Sequence, residues 1–293
     1  MTRCACPTIG LNDRWVSAAM PHGEIGPATF SGMPNLTFRL RIRVAVGGTV
    51  ALLFASMCAA VGSGSAHAFP FTGSLGGSGT CTTTAAQTQG WGSPDHSDDF
   101  TSAASLDNWH RYEGVGHAGN GRRTPDAVTV SDGALVISAD LAGNSGGVTP
   151  RWGGRLHGRW EICARSTVAS TAWTPNALLW PDAEDWPAGG EVNFMEIPYP
   201  LRDSVDYNLH WGNSDNLERH TRSVDATAWH NWAVEWTPTH IAVFLDGVEW
   251  ARSSDVNRLP PRAMHLALQL DNYGGVTFPT GSLYVDRVAE YPL

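Results

Sequence analysis

The sequence predicts an all-β protein built from two packed antiparallel sheets. Short runs rich in β-branched and aromatic residues, several with period-two alternation, occur at 128–130, 135–138, 159–165, 176–180, 191–196, 205–211, 231–236, 241–245, 264–270 and 282–290. No stretch carries the sustained apolar stripe of period 3.6 that marks an amphipathic helix. Ser131-Asp132-Gly133 and Leu245-Asp246-Gly247 are tight-turn sequences that join neighbouring runs as hairpins. Short strands in such a succession are typical of a β-sandwich.

The first 68 residues have the organisation of a secretory signal peptide. A basic segment, 39–43, precedes an apolar stretch at 44–61, and Ala66-His67-Ala68 forms a small-x-small cleavage site. An uncleaved membrane anchor is the alternative, but the apolar stretch is short and contains Gly and Ala. We therefore expect cleavage near Ala68 and a secreted, extracellular protein. Residues before Met33 lack signal features, so translation is expected to start at Met33 or Met20.

The part that follows the leader is acidic. Residues 1–68 hold five of the 19 basic residues, all arginine, and two of the 28 acidic ones, so 14 basic and 26 acidic residues remain. A net charge of about −12 repels phosphate polymers, which argues against a nucleic-acid partner. A neutral polysaccharide is indifferent to this charge. The expected partner is a polysaccharide substrate, with no membrane partner after cleavage and a monomeric state.

Two features precede the strands. Residues 69–96 are rich in Gly, Ser and Thr, which predicts a flexible segment and a folded domain spanning 97–293. Only Cys81 and Cys163 remain after the leader is removed. In an exported protein an even pair indicates a disulfide, and two buried free thiols are the alternative.

The segment 190–196 carries the clearest chemical signal. Side chains two apart on a strand share a face, so Glu191 and Asn193 point the same way. Glu196 joins them only if a β-bulge adds one residue between Asn193 and Glu196. The carboxyl groups then lie one or two strand repeats apart, which suits the ~5 Å separation of a retaining glycosidase. Crowding separates their pKa values, so one site gains an acid and a nucleophile. A solvated glutamate pair is the alternative reading.

The segments around this pair point to a family. They read Ala177-Leu178-Leu179-Trp180-Pro181, then Asp185-Trp186-Pro187-Ala188-Gly189-Gly190, and, after the pair, Asn208-Leu209-His210-Trp211-Gly212. With them the chain resembles glycoside hydrolase family 16, in its bulged, laminarinase-like form. That family carries E-x-D-x-x-E on a bulged strand, behind an aromatic segment ending in W-P-x-x-G-E and before a strand with a histidine.

The resemblance extends from about Asp98 to the C-terminus. The further matching segments are Asp98-Asp99-Phe100, Leu106-Asp107-Asn108-Trp109, 128–137, Gly158-Arg159-Trp160-Glu161, 229–236 with 241–247, and Tyr284-Val285-Asp286-Arg287-Val288. The resemblance implies a β-jelly roll, a concanavalin A-like sandwich, with a substrate cleft across its concave sheet.

The resemblance also assigns roles to residues. Glu191 would be the nucleophile and Glu196 the general acid/base, with Asn193 between them. Sugar rings present an apolar face that stacks on indole, and their hydroxyls need polar partners. The expected substrate-binding residues are Trp180, Trp186, His210, Trp211, Arg159 and Gln269. No cofactor is required, but relatives hold a structural Ca²⁺, to which Asp99 and Asp286 are the weak candidates.

One departure from the family pattern concerns activity. Asn193 stands where the family has aspartate, and its amide still holds the Glu191 carboxylate but supplies no charge. We expect an active site with a pH optimum shifted towards acid. The expected function is a secreted, retaining, endo-acting glycoside hydrolase of polysaccharide degradation, most simply an endo-β-1,3-glucanase. The alternatives are a catalytically impaired carbohydrate-binding protein, a transglycosylase and a β-galactan hydrolase.

Overall fold

The computed structural model describes residues 80–293. The predicted leader, its cleavage site and the start codons lie outside the described residues. Within 80–293, none of the helices has the length and apolar character needed to cross a bilayer.

The described residues form one short α-helix and a long series of strands. Helix α1 is Ala85–Gln89, and three 3-10 turns occupy Ala103–Asn108, His117–Gly119 and Pro125–Ala127. The first strands are β1 (His96–Asp98), β2 (Trp109–Arg111), β3 (Gly114–Val115), β4 (Arg122–Arg123), β5 (Val128–Ser131), β6 (Ala134–Ser138), β7 (Gly147–Pro150), β8 (Gly158–Ser166) and β9 (Trp173–Pro181). The others are β10 (Glu191–Glu196), β11 (Ser204–Trp211), β12 (Asn216–Ser223), β13 (His230–Trp236), β14 (Ile241–Leu245), β15 (Val248–Ser253), β16 (Met264–Asn272) and β17 (Ser282–Tyr291).

These strands build two antiparallel sheets that pack as a sandwich, which confirms the predicted fold class. The back sheet has the order β15-β14-β13-β8-β17-β6-β5, with β1 paired to β17. The front sheet has the order β12-β11-β10-β9-β16-β7-β2, and β3 and β4 form a separate hairpin. Strands β9 to β12 and β13 to β15 follow one another as meanders, whereas β8 pairs with β13 and β17, and β9 pairs with β16, across long stretches of sequence.

The core lies between the sheets and follows the period of two. On β16, alternate residues are fully buried in this core, namely Met264, Leu266, Leu268 and Leu270. The same holds on β8 for Trp160, Ile162 and Ala164. The alternate residues of the front sheet must point away from the core. Strands β9, β10, β11 and β16 are adjacent. Their outward side chains therefore form one continuous surface.

The segment before β1 differs from the expected flexible one where the structure describes it. Helix α1 begins with a capping box between Thr84 and Gln87, and Gly90 ends it in the left-handed conformation. Trp91 packs against Phe244 and Tyr291, on the outer side of the back sheet. Apolar contacts therefore order residues that the Gly, Ser and Thr composition suggested were mobile.

A disulfide joins Cys81 to Cys163 on β8, so the first of the two readings of this pair holds in the structure. It closes a loop of 82 residues in sequence separation and ties the segment before β1 to the middle of the back sheet.

Candidate active site

Strand β10 contains the predicted bulge. Glu191 lies opposite His210 of β11, Asn193 opposite Asn208 and Glu196 opposite Asp206, with a register shift between Asn193 and Glu196. The partner strand therefore advances four residues while β10 advances five. Because four is even, Glu191, Asn193 and Glu196 share the outward face. The additional residue lies inward, since Phe194 and Met195 are both buried in the core.

Both carboxylate oxygens of Glu196 have hydrogen-bond donors. The Nδ2 group of Asn208 donates to Oε2 at 2.5 Å, and the hydroxyl of Tyr273 donates to Oε1 at 2.8 Å. Arg219 on the edge strand β12 donates its Nε–H to Oδ1 of Asn208 at 2.8 Å. Glu196 itself is buried. Its orientation is therefore set by side chains from three other parts of the front face.

Glu191 is half-buried at the start of the same strand. The pKa of Glu191 is raised from 4.5 to about 7, mainly by burial and to a smaller extent by the neighbouring carboxylates of Glu196 and Asp271. The charge of His210 and a hydrogen bond from the Asn193 side chain lower the pKa of Glu191. Oδ1 of Asn193 has no hydrogen-bond partner among the described residues. The amide thus partly stabilises the ionised Glu191, while its own oxygen is buried.

Aromatic side chains flank the Glu191 end of the site. The rings of Trp180 and Trp186 are nearly parallel, with centroids 6.5 Å apart and planes 9° apart, and Trp186 is exposed. Trp186 lies 6.4 Å from His210, whose Nδ1 is 2.6 Å from Oδ1 of Asp215. The structure therefore brings three of the predicted binding residues together beside Glu191. An exposed indole next to polar groups is suited to a sugar ring.

Gln269 also lies on the open face, two strands away from Glu196. It pairs in register with Asn176 of β9, which itself pairs with Glu196. Arg123 donates to Oε1 of Gln269 at 3.0 Å and forms a 2.5 Å ion pair with the buried Asp271. The Gln269 side chain is therefore held in place on the side of the site away from β12.

Two predicted binding residues do not belong to this face, and those predictions are wrong. Arg159 is on β8 of the back sheet, where it bonds Glu235 at 2.6 Å and lies over the Trp91 ring. Trp211 follows His210 on β11, so it points to the opposite face, packs against the core and lies under Arg258. Alternation explains Trp211, because neighbouring residues on a strand point to opposite sides, whereas Arg159 is excluded by the sheet that its strand joins.

Sequence reasoning missed several residues of the site. Asn208 is two residues before His210 on β11, and this spacing is the signal that places both on one face. Tyr273, Arg219 and Arg123 come from a loop or from other strands, and nothing in their local sequence connects them to Glu196.

The two carboxylates considered for calcium have other partners. Asp99 lies 3.3 Å from the guanidinium of Arg287, and Asp286 accepts a hydrogen bond from the backbone of Thr80. From residue 80 onward, no group of three or more His, Cys, Asp or Glu side chains is arranged to share a cation. Calcium therefore stays a prediction of the sequence resemblance alone.

Comparison with known proteins places this site in a family context. Residues 119–287 match the sequence model of Glycosyl hydrolases family 16, a match that includes β10, β11 and β16. No curated protein sequence matches the chain significantly.

Solved structures share the fold. The laminarinase from Rhodothermus marinus is 24% identical, with a TM-score of 0.60 over 68% of this chain and 97% of that chain. A prokaryotic β-1,3-1,4-glucanase (lichenase) derived from a mouse hindgut metagenome is 18% identical, with a TM-score of 0.59 over 68% and 99%. A family 16 endo-glucanase from Bacteroides ovatus is 15% identical, with a TM-score of 0.57 over 67% and 99%. At these identities the likeness concerns the fold.

Proposed function

The chain belongs to glycosyl hydrolases family 16, and on this premise we propose that it is a secreted, retaining, endo-acting glycosidase of a β-linked polysaccharide. β-1,3-Glucan is the first expected substrate. Glu191 is the nucleophile and Glu196 the general acid/base. The observation that carries the proposal is the bulge, which sets both glutamates on one open face beside an exposed tryptophan.

The proposed reaction has two steps. In the first, a Glu191 oxygen bonds to the anomeric carbon while Glu196 donates its proton to the leaving glycosidic oxygen. In the second, Glu196 takes a proton from water, and that water displaces Glu191 from the sugar. Each displacement inverts the anomeric carbon, so the product keeps the β configuration of the substrate.

The substrate class is argued from three observations of different weight. The face is open and lined by Trp180 and Trp186, which suits a linear neutral polymer. The bulged E-x-N-x-x-E sequence is closer to the laminarinase-like and galactan-cleaving forms of the family than to the form without a bulge. The laminarinase and endo-glucanases above share the fold at low identity. Together these support a β-glucan first and a β-galactan second.

The electrostatics of Glu191 predict the pH dependence. A nucleophile must be ionised, and burial raises the pKa of Glu191 to about 7. The acid limb of kcat/KM should therefore lie near pH 7, which opposes the acid-shifted optimum expected from the sequence. The physical reason is that burial of the carboxyl outweighs the charge removed by Asn193.

The alternative function is a carbohydrate-binding protein that does not hydrolyse its ligand. Asn193 favours this alternative, because it replaces the charged member of the family motif, and so does the raised pKa of Glu191, which keeps the nucleophile protonated in acid. The aromatic face would serve binding equally well in both cases.

One experiment separates these functions and tests export. The full-length gene is expressed in a secreting host, and the protein from the medium is sequenced at its N-terminus, where Phe69 is the expected first residue. It is then assayed for reducing ends on laminarin, lichenan, agarose and β-galactan, with Glu191→Gln as the blank and the exposed Glu249→Gln as the matched control. Proton NMR of the first product reports its anomeric configuration.

The outcomes are distinct. Activity on one polymer that is absent in Glu191→Gln, retained in Glu249→Gln and yields the β-anomer first establishes the retaining glycosidase and its linkage. Products that are longer than the substrate would identify transglycosylation. Binding without cleavage would replace the enzyme with the carbohydrate-binding protein, and the α-anomer would refute the assigned role of Glu191.

A further inference from the structure

The two oxygens of Glu196 are held by donors of different kinds. Oε2 accepts from the amide Nδ2 of Asn208, and Oε1 accepts from the hydroxyl of Tyr273. An amide nitrogen only donates, whereas a phenol hydroxyl both donates and accepts. The two oxygens therefore differ in whether they tolerate a proton.

Arg219 fixes the amide of Asn208 in the donating orientation. Its Nε–H bonds Oδ1 of Asn208 at 2.8 Å, so the amide oxygen faces Arg219 and the amide nitrogen faces Glu196. Arg219 lies 3.8 Å from the buried Asp206, which also accepts from Thr221 at 2.6 Å. A reversed amide would place its oxygen against Oε2 and its N–H against a guanidinium. Oε2 therefore stays an acceptor whether Glu196 is charged or neutral.

Tyr273 is positioned independently of Glu196. Its backbone N–H donates to the carbonyl of Ala172 at 2.7 Å, and its ring stacks on His117 with centroids 4.5 Å apart. Burial and the Glu196 carboxylate raise the pKa of Tyr273, so its hydroxyl keeps its proton. The phenol is thus a fixed, neutral group at Oε1.

From this geometry we infer that Tyr273 is the positioning residue for the oxygen of Glu196 that carries the catalytic proton, Oε1, while Arg219 and Asn208 reserve Oε2 as an acceptor. This inference rests on the proposed function, in which Glu196 is the general acid/base. When Glu196 is neutral, its proton is on Oε1, since the Tyr273 hydroxyl there can also accept a hydrogen bond, whereas the Asn208 N–H at Oε2 can only donate. As that proton moves to the glycosidic oxygen and the C–O bond breaks, the carboxylate charge grows and the Tyr273 hydroxyl stabilises it.

The inference predicts where the loss of the hydroxyl matters. When a polysaccharide is cleaved, the leaving group is a sugar alkoxide, which must be protonated as the C–O bond breaks. A 2,4-dinitrophenolate is a stable anion and leaves with little protonation. If Tyr273 positions Oε1, loss of its hydroxyl should therefore slow cleavage of the polysaccharide more than cleavage of the dinitrophenyl glycoside. A role in folding alone would affect both equally.

The test compares two tyrosine-to-phenylalanine changes in the full-length secreted protein. Tyr273→Phe removes the 2.8 Å bond to Oε1 of Glu196 and keeps the ring on His117. Tyr291→Phe is the matched control, because it removes a hydroxyl bond of the same 2.8 Å length to Oε1 of Glu161 on the back sheet. Both are assayed on the polymer that the wild type cleaves and on a 2,4-dinitrophenyl β-glycoside of its oligosaccharide.

Tyr273→Phe should lower kcat on the polymer roughly ten- to hundredfold, the size of a hydrogen bond to a charged group. KM for the polymer should stay within about twofold, and kcat/KM on the dinitrophenyl glycoside, which reports the first step alone, should stay within about threefold. The basic limb of the pH–rate profile should move to higher pH, because the ionised form of Glu196 loses a donor. Equal losses on both substrates, or a loss no larger than that of Tyr291→Phe, would overturn the inference.

A titration without turnover separates this inference from the proposed function. Protein labelled with carbon-13 at the glutamate carboxyls is titrated by NMR, with the Glu196 signal assigned by its disappearance in Glu196→Gln. The Glu196 midpoint should rise in Tyr273→Phe and in Arg219→Ala, which releases the Asn208 amide, and should not move in Tyr291→Phe. An inactive wild type with these shifts would refute the glycosidase alone. An unmoved midpoint in both Tyr273→Phe and Arg219→Ala would refute the inference alone.

Discussion

Replacing the buried Glu290 with glutamine should stabilise the protein more at high pH than at low pH. Glu290 is on β17 opposite Trp160, points into the sandwich and is 1% exposed. In the part of the chain that the structure describes, neither of its oxygens has a hydrogen-bond partner. The indole N–H groups of Trp152 and Trp160 and the guanidinium of Arg155, 4.0 Å away, only partly offset this burial.

The sign follows from proton binding. Burial raises the pKa of Glu290 from 4.5 to about 7 in the folded protein. Between these two values the folded state binds more protons than the unfolded state, so the free energy of unfolding falls as the pH rises. With one pKa unit equal to about 1.36 kcal/mol, Glu290 should destabilise the fold by about 1 kcal/mol at pH 5 and about 3 kcal/mol at pH 8. Glutamine stays neutral, so Glu290→Gln removes a penalty that grows by about 2 kcal/mol over this range.

The assay is urea denaturation at pH 5 and pH 8, followed by tryptophan fluorescence, for the wild type and Glu290→Gln. Glu249→Gln is the control. The hydrogen bond from Arg252 lowers the pKa of the exposed Glu249. The contribution of Glu249 to the free energy of unfolding is therefore lost only as the pH falls below about 4.5, and it stays constant between pH 5 and pH 8. If Glu290→Gln changed the free energy of unfolding by the same amount at both pH values, the buried charge would not be the cause and the reasoning would be refuted.

Three further predictions concern the site and the disulfide. Asn193→Asp removes a hydrogen bond to Glu191 and adds a like charge, so the pKa of Glu191 should rise further and the acid limb of kcat/KM should move to higher pH; an unmoved profile would contradict this. Trp186→Ala should weaken polysaccharide binding about three- to tenfold in titration calorimetry, whereas the matched Trp211→Ala should leave binding within about twofold and lower the melting temperature, because Trp211 packs against the core. Replacing Cys81 and Cys163 together with serine should lower the free energy of unfolding by about 2–5 kcal/mol in urea, and a reductant should then have no further effect on the variant.

The period of two accounts for most of what the sequence predicted correctly. Each predicted run coincides with a strand of the structure, and the mismatch between Asn193 and Glu196 predicted the bulge on β10. Two of the strands that were missed, β7 and β12, lack this pattern. β7 contains Gly147 and Pro150, and the edge strand β12 is almost entirely polar. An edge strand with one exposed side needs few apolar residues to pair, so its sequence resembles a loop.

The errors at the site have a different physical origin. Trp211 was assigned to the substrate face together with its neighbour His210, although alternation on β11 separates them. Arg159 could not be excluded in this way, because local sequence does not say which sheet a strand joins. Tyr273 reaches Glu196 from a loop across a sequence separation of 77 residues, and Arg219 reaches Asn208 from the edge strand β12, so only the folded topology brings them to the site.

The charges of the front face explain why a neutral residue is accommodated at position 193. The carboxylates of Glu191, Glu196, Asp206 and Asp271 lie on this face, and two arginines beside them are already engaged: Arg123 pairs with Asp271, while Arg219 bonds Asn208 beside Asp206. An aspartate at 193 would add a further negative charge next to a glutamate whose pKa burial already raises. Asn193 avoids this repulsion and still provides a donor for Glu191. The departure from the family motif is thus compatible with a working pair of glutamates, provided that the ionised form of Glu191 is reached at the pH where the protein acts.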